Sequence, residues 1–287
     1  MKPQVSRRTF LGNTTLAGAA LATSSLFASN LNTGTKKLKF ALIGCGGRGN
    51  GAIKNFQDAC KVLGIEPTLV GTADAFRDKA LATGKRHGLA EDKCYGGFDA
   101  YHKVLAGDAD FVLMATPPGF RPLHFAAAVE AGKHCFIEKP VAVDPVGARS
   151  IIATGEIAKK KGLGVVTGTQ RRHSAGYRRN KALIDAGAIG DIKGGVVQWN
   201  SRVPWIKRRN DGESDADYMA RNWLNFTEMS GDHIVEQHVH NIDVCLWFLG
   251  KLPVSAIGFG GRARRETGNQ FDFFSVDLDF GDNIHIH

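Results

Sequence analysis

Residues 38–49 read LKFALIGCGGRG, an apolar run that leads directly into a Gly-x-Gly-x-x-Gly motif. In this context Gly44 permits a tight turn, Gly46 lets the backbone approach a diphosphate, and Gly49 lets the next helix pack against the strand. The free amide groups at the start of that helix are donors for phosphate oxygens. The residues predicted to bind a dinucleotide here are Gly44, Gly46, Gly47, Arg48 and Gly49.

Short apolar runs alternate with stretches of helical period through the first half of the chain. This alternation predicts a doubly wound parallel sheet with crossover helices. The expected strands are 38–43, 68–71, 111–115, 134–137 and 162–169, and the expected helices are 52–63, 76–87, 121–131 and 145–160, with a loop at 64–67.

Asp74 stands at the end of the second predicted strand. An acid there accepts hydrogen bonds from ribose hydroxyls and repels a 2′-phosphate, which favours NAD. Arg77 follows one turn later and could pair with a 2′-phosphate, so NADP stays open as an alternative.

Two further turns follow strands of the predicted sheet. Thr116 and Pro117 come after the strand at 111–115, and Glu138 and Lys139 come after the strand at 134–137. Open parallel sheets bind ligands at these carboxyl ends, so we expect all four residues near the cofactor. A partly desolvated lysine beside a cofactor is suited to general acid/base chemistry, and contact with cofactor ribose or phosphate is the alternative.

Polar residues also follow the last predicted strand of this sheet, where Gln170 and Arg171 face the cleft by the same geometry. We expect both to contact substrate. Aromatic residues in the polar stretch beyond them can stack on a sugar ring, with core packing or a subunit interface as the alternative. These aromatic residues are Trp199, Trp205, Tyr218 and Trp223, and Trp223 is the one predicted to bind substrate.

Residues 232–249 have a helical period that puts Glu236, His240 and Asp243 on one face. Carboxylates on that face can orient and charge the imidazole, which makes His240 a second acid/base candidate. Glu236 and His240 could also bind a metal, but the His-Glu-x-x-His spacing is absent, so we expect no metal site.

The last part of the chain predicts strands at 192–199, 254–260 and 271–280. The alternation continues to His287, so the sequence stops in mid-strand. From this we expect a fragment or truncated product whose incomplete sheet exposes an edge and an apolar face.

The composition limits the classes of protein to which the chain could belong. The 287 residues carry a formal net charge of +9 and are 43% hydrophobic and 23% charged, which is typical of a folded protein with two domains. The five cysteines include no Cys-x-x-Cys pair, so buried free thiols are expected and a disulfide framework is not. Without a basic helix or an aromatic-basic RNA motif, we expect no nucleic-acid partner.

Residues 1–35 have the features of an export signal and linker. Basic residues precede a weakly apolar stretch, and Ser6 to Leu11 (SRRTFL) resembles the twin-arginine export signal. The resemblance implies the twin-arginine export machinery as a partner and a periplasmic or other extracytoplasmic location. That route carries folded proteins, which favours a tightly bound cofactor.

The glycine turn, the Thr-Pro turn, residues 131–140 and the run 231–250 together resemble the glucose-fructose oxidoreductase, inositol dehydrogenase and MocA (Gfo/Idh/MocA) family. Residues 221–223 and 230–238 are similar to exported bacterial members. The resemblance implies an N-terminal Rossmann domain at 36–170 and an incomplete C-terminal α+β domain at 171–287 with an open-faced, mostly antiparallel sheet. A sugar or cyclitol would bind between them.

The same resemblance implies roles for individual residues. In the family, the lysine of a Glu-Lys-Pro turn and an Asp-x-x-x-His pair relay the proton of the reacting hydroxyl. Here these positions fall on Lys139, Glu236 and His240, with glutamate replacing the aspartate.

The sequence therefore favours an exported NAD(P)-dependent oxidoreductase acting on a secondary hydroxyl of a sugar, glycoside or cyclitol. A homo-oligomer through the C-terminal sheet is expected for the full-length protein. Two alternatives stay open: a redox-neutral enzyme that cleaves or eliminates glycosides with tightly bound NAD, and a catalytically silent protein that binds nucleotide or sugar.

Overall fold

The structure is a computed structural model that describes residues 37–287. Its first sheet is formed by β1 (Lys37–Ile43), β2 (Glu66–Asp74), β3 (Cys94–Gly96), β4 (Phe111–Met114), β5 (His134–Ile137) and β6 (Val165–Thr167). The strand order is β3-β2-β1-β4-β5-β6, and the pairs β2–β3, β1–β4, β4–β5 and β5–β6 are parallel. This is the order of a dinucleotide-binding Rossmann sheet.

Helices connect these strands and cover both faces of the sheet. They are α1 (Gly47–Leu63), α2 (Arg77–Arg86), α3 (Ala100–Leu105), α4 (Arg121–Glu130) and α5 (Pro145–Lys160). Along β1, Phe40 and Leu42 pack with residues of α1 and α2, whereas Ala41 and Ile43 pack with residues of α3, α4 and α5. Burial on both faces explains why this strand is continuously apolar in sequence.

The second half carries α6 (Ala175–Asp185), α7 (Asp215–Arg221), α8 (Thr227–Ser230) and α9 (Val239–Leu249). Its sheet contains β7 (Gly194–Gly195), β8 (Ser255–Gly261), β9 (Phe273–Asp279) and β10 (His285–Ile286) in the order β7-β10-β9-β8. The pairs β8–β9 and β9–β10 are antiparallel, and β10–β7 is parallel. The predicted Rossmann sheet followed by a mostly antiparallel sheet is confirmed.

Several predicted boundaries are wrong. The strand expected at 68–71 spans Glu66–Asp74, so half of the expected loop at 64–67 is strand. In β2, only Thr72, Ala73 and Asp74 pair with β3. Pro67 lies before these paired residues, so its missing N–H removes no hydrogen bond to β3. The strand expected at 192–199 is reduced to the two residues of β7.

The helix expected over 232–249 also differs from the prediction. Ile234–His238 forms a turn of π-helix before α9 begins at Val239. Asp232 precedes it with φ of +71°, and its carboxylate accepts the backbone N–H groups of His233 and Phe271. The wider turn changes which side chains share a face in this part of the chain.

All five cysteines are buried and free, as predicted. Within residues 37–287, no group of three or more His, Cys, Asp or Glu side chains is arranged to hold a metal ion. None of the helices in that same range has the length and apolarity needed to cross a membrane.

Candidate active site

The glycine turn between β1 and α1 has the geometry that its sequence predicts. Gly44 has φ of +94°, and a Cβ there would lie 2.6 Å from the backbone of Ala115. A Cβ on Gly49 would lie 1.9 Å from the carbonyl oxygen of Gly44, whereas one on Gly46 would meet nothing within 4 Å. The first and third glycines therefore allow close packing, and the second faces open space.

Asn50 fixes the direction of the amide groups in this turn. Its Nδ2 donates to the carbonyl oxygens of Cys45 and Gly46, each at 3.0 Å. Since N–H and C=O point in opposite directions across a trans peptide, the N–H groups of Gly46 and Gly47 point away from Asn50. No side chain caps the start of α1 and its first turn has no acid, so these donors and the open space at Gly46 fit a diphosphate.

An open cavity extends from this turn. Asp74 at the end of β2 lines it, together with Thr116 and Pro117 after β4. Three of the positions predicted to bind the cofactor therefore line one cavity. Trp223, predicted to bind substrate, also lines this cavity, beside the predicted cofactor residues.

Asp74 is held by the backbone around it. Its Oδ2 accepts the N–H of Cys45 at 2.7 Å, and its Oδ1 accepts the N–H of Phe76 at 3.0 Å. Each carboxylate oxygen keeps a second lone pair for a ribose hydroxyl. Lys79 lines the cavity with its Nζ over the Phe76 ring, whereas Arg77 packs against Gly96.

Arg48 links the glycine turn to the turn after β5. Its Nε donates to Oε1 of Glu138 at 2.7 Å, and its Nη2 donates to Asn55. The Glu138 side chain is only 10% exposed, and Gly168 leaves room for it, because a Cβ there would lie 2.7 Å from Oε2. Glu138 thus holds the Arg48 guanidinium, with its positive charge, beside the diphosphate donors.

Lys139, in the first half of the chain, contacts Glu236 in the second half. Its Nζ donates to Oε1 of Glu236 at 3.0 Å and to the Glu236 backbone carbonyl at 2.5 Å. The lysine side chain is 13% exposed and the glutamate side chain 6% exposed. Burial raises the pKa of Glu236, and the charge of Lys139 opposes that shift. The predicted catalytic lysine and glutamate are therefore in direct contact.

Arg121 binds the turn that carries Lys139, and the sequence did not predict this residue. Its Nη1 donates to the carbonyl oxygen of Pro140, in the turn that carries Lys139. Burial lowers the pKa of Arg121 to about 10, and the negative charges of Glu138 and Glu236 oppose the shift. A buried arginine on the first residue of a helix gives no period or motif that would have marked it.

His240 lies one turn beyond Glu236 and is buried. The Trp199 ring stacks on it with ring centroids 5.1 Å apart. Burial and the positive charges of Lys139 and Arg171, opposed by the charge of Asp243, together lower the pKa of His240 to about 4. The imidazole is therefore neutral at neutral pH and able to accept a proton.

The expectation that carboxylates charge this imidazole is wrong. The π-turn at Ile234–His238 breaks the α-helical spacing, and the Glu236 carboxylate binds Lys139 and not the ring. Asp243 instead forms a two-pronged ion pair with Arg172, with N–O distances of 2.8 Å.

Of the two predicted substrate residues after β6, Gln170 and Arg171, only one lies at this site. Arg171 donates to Asn241, and its guanidinium lies 5.3 Å from the Trp199 ring centroid, so it stands beside His240. Gln170 is exposed in a short 3₁₀ turn. Only Arg171 therefore adjoins the Lys139 and His240 region through described contacts.

Family profiles match both parts of the chain. Residues 38–169 match "Oxidoreductase family, NAD-binding Rossmann fold", and residues 177–287 match "GFO/IDH/MocA C-terminal domain". The chain belongs to the Gfo/Idh/MocA family. The family resemblance found in the sequence is thereby confirmed, and so is the NAD-binding Rossmann domain. The predicted export signal lies in residues 1–35, which are outside the described residues.

Two inositol 2-dehydrogenases are similar to most of this chain. It is 31% identical over 220 residues to inositol 2-dehydrogenase 3 of Saccharopolyspora erythraea, covering 76% of this chain and 56% of that protein. It is 30% identical over 254 residues to inositol 2-dehydrogenase of Burkholderia ambifaria, covering 87% and 66%. The chain therefore spans less than two thirds of the length of these relatives.

The fold is shared with the WlbA dehydrogenase from Bordetella pertussis, solved in complex with NADH and UDP-GlcNAcA. The TM-score is 0.67 at 22% identity, covering 87% of this chain and 65% of that one. At this identity the likeness shows the fold alone.

Proposed function

We propose that this member of the Gfo/Idh/MocA family is an NAD-dependent oxidoreductase that oxidises a secondary hydroxyl of a sugar, glycoside or cyclitol. The names of its inositol dehydrogenase relatives support the substrate class. The observation that carries the proposal is the buried contact between Lys139 and Glu236. This contact joins the turn after β5 to the segment that leads to His240. Arg48 links the turn after β5 to the glycine turn through its ion pair with Glu138.

Each residue has a distinct part in this proposal. The nicotinamide of bound NAD would accept the hydride from the carbinol carbon. His240, neutral because of its burial, accepts the proton of the hydroxyl. Lys139 donates a hydrogen bond to the reacting oxygen and is kept in place by Glu236, while Arg121 offsets the negative charge of that glutamate.

Replacement of the lysine tests the proposal. With NAD and a panel that includes myo-inositol and D-glucose, we expect the parent chain to form NADH and Lys139→Met to lose at least about 100-fold in kcat/KM. NADH binding should be unchanged, because Lys139 is not among the diphosphate donors. Lys54→Met is the control, since Lys54 is exposed and pairs with Asp58, away from the glycine turn and from Lys139 among the described residues. Full activity in Lys139→Met would end the assignment.

The same assay separates the redox-neutral alternative. An enzyme that oxidises and reduces its substrate within one cycle converts a glycoside without added NAD and without net NADH. A silent binding protein converts nothing. Net NADH in proportion to oxidised product is the result expected for a dehydrogenase.

We also propose roles for the N-terminal segment and for the two halves of the chain. Residues 1–35 would direct export by the twin-arginine machinery to the periplasm, with NAD tightly bound and NADP as the alternative cofactor. Residues 36–170 and 171–287 would be the cofactor and substrate domains. Ile257 and Phe259 on β8, more than 70% exposed, support self-association through the C-terminal sheet.

A further inference from the structure

The cavity that extends from the glycine turn is lined by residues from both halves of the chain. The glycine turn and Asp74 line it from the first half, and Ala220 and Trp223 line it from the second. Within the described part of the chain, Lys139 and His240 are not among the residues that line it. Because those two residues belong to the reacting end of the site in the proposed function, this cavity suits the opposite, adenosine end of NAD.

Aromatic rings contribute to the wall of this cavity near Asp74. Phe76, Phe98 and Phe120 line it from the first half, and the Phe98 side chain is 43% exposed although it is large and apolar. An acid at the position of Asp74 accepts the hydroxyls of the adenosine ribose, so the adenine joined to that ribose belongs to the same cavity. Aromatic walls suit a purine, because a base presents a flat π-face on which a ring can stack.

Trp223 is held in place by the residues around it. Asn222 and Asn225, on either side of it, are buried. The Asn222 Oδ1 accepts the backbone N–H of Lys207 and the Nδ2 of Asn225, each at 2.8 Å. The Trp205 ring meets the Trp223 ring edge-on, with centroids 5.9 Å apart. A tryptophan braced in this way loses little side-chain entropy when it binds a ligand.

The segment that follows Trp223 packs directly on the cofactor-binding half. A Cβ on Gly119 would lie 2.8 Å from the backbone carbonyl oxygen of Glu228 in α8, so only glycine allows this approach. Gly119 belongs to the 3₁₀ turn Pro118–Phe120, which follows β4, and Phe120 lines the cavity. Close backbone contact therefore keeps the segment that carries Trp223 at the wall of the cavity.

We propose that Trp223 binds the adenosine half of NAD, with its indole packed against the adenine. This role differs from the substrate contact that the sequence predicts for the same residue. It makes the second half of the chain part of the cofactor site, so that NAD is held from both halves. The inference rests on the proposed function, because it requires NAD as the cofactor. Trp223 takes no part in proton transfer.

Binding of NADH and of ADP-ribose tests the assignment. ADP-ribose keeps the adenosine and the diphosphate but lacks the nicotinamide. By titration calorimetry we expect Trp223→Ala to raise the Kd of both ligands by the same factor, about 5- to 150-fold, which is the usual effect of removing one ring stacked on a base. Trp247→Ala is the matched control, since Trp247 on α9 is also partly buried but lies outside the described lining of this cavity. It should bind both ligands as the parent does.

The outcomes separate this inference from the proposed function. A loss in Trp223→Ala that is confined to NADH would place the residue at the nicotinamide and overturn the inference. Unchanged Kd values for both ligands, or equal losses in Trp223→Ala and Trp247→Ala, would also overturn it while NADH binding by the parent upheld the cofactor. A folded parent that binds neither ligand would refute the proposed function together with the inference.

Tryptophan fluorescence gives a second measurement, which does not depend on Trp223→Ala being folded. The chain has four tryptophans, and a purine stacked on an indole quenches its emission by contact. ADP-ribose does not absorb where tryptophan emits, so only a tryptophan in contact with it is quenched. We expect saturating ADP-ribose to quench the parent and Trp247→Phe, and to quench Trp223→Phe far less, although phenylalanine retains part of the affinity. Absence of quenching in the parent, or full quenching in Trp223→Phe, would contradict the proposal.

Discussion

Gly46 and Gly49 lie three residues apart in one turn, yet alanine at the two positions should have opposite consequences. At Gly49 the new Cβ would lie 1.9 Å from the Gly44 carbonyl oxygen, inside the 3.0 Å limit of real contacts, so the turn must open by about 1 Å. Forced overpacking of this kind costs about 1–3 kcal/mol in the free energy of unfolding. At Gly46 the Cβ meets nothing, and φ is −72°, so stability should change by less than about 1 kcal/mol.

For the affinity for NADH we expect the opposite order, with Gly46→Ala the more sensitive of the two variants. The methyl group of Gly46→Ala occupies the space left for the diphosphate, and about 1–3 kcal/mol of overpacking raises the Kd for NADH roughly 5- to 150-fold. Urea unfolding without cofactor gives the first quantity, and fluorescence titration with NADH gives the second. Parent-like NADH affinity in Gly46→Ala, or parent-like stability in Gly49→Ala, would refute the reasoning.

Three further outcomes are expected. Asn50→Asp removes the donor that binds the Cys45 and Gly46 carbonyls, so NADH affinity should fall at least about tenfold, while Gln57→Glu, which adds the same charge on α1, should not reduce it; equal effects would contradict this. Because the lowered pKa keeps His240 neutral as the pH falls, the acidic limb of kcat/KM should lie near pH 4, and a midpoint near 6.5 would count against His240 as the base. Phe259→Lys, on a residue 74% exposed on β8, should shift sedimentation toward the monomer, whereas Val62→Lys on α1 should not.

The sequence predicted best where one local pattern decides the structure. The helix at 145–160 and the strand at 134–137 have the predicted bounds, because helical period and an apolar run between turns are local signals. The strand Cys94–Gly96 was not found, since three residues carry no period and it exists only by pairing with Thr72–Asp74.

The same distinction holds for the candidate site. Gly46, Asp74 and Lys139 follow strands in a known order, so their position could be read from the chain. The partners of Lys139 and Asp243 could not, because the π-turn at Ile234–His238 has no sequence period of its own and changes the facing residues. Such contacts depend on packing between segments distant in the chain.

Buried polar residues were the least predictable part. Nothing in the sequence distinguishes Arg265 from its neighbours Arg262 and Arg264, and only the structure shows that Gln270 holds one arm of it in a buried position. Long-range hydrogen bonds of this kind have no signature in local composition.

The central claim is that the turn at 44–49 binds the diphosphate of NAD and thereby sets the nicotinamide beside Lys139. Calorimetric titration of the purified chain with NADH tests it most directly. The account predicts saturable binding with one NADH per chain, competed by NAD and weakened at least about tenfold in Gly46→Ala. Absence of binding to NADH, NAD and NADP alike, in a chain shown to be folded and free of co-purified nucleotide, would contradict it.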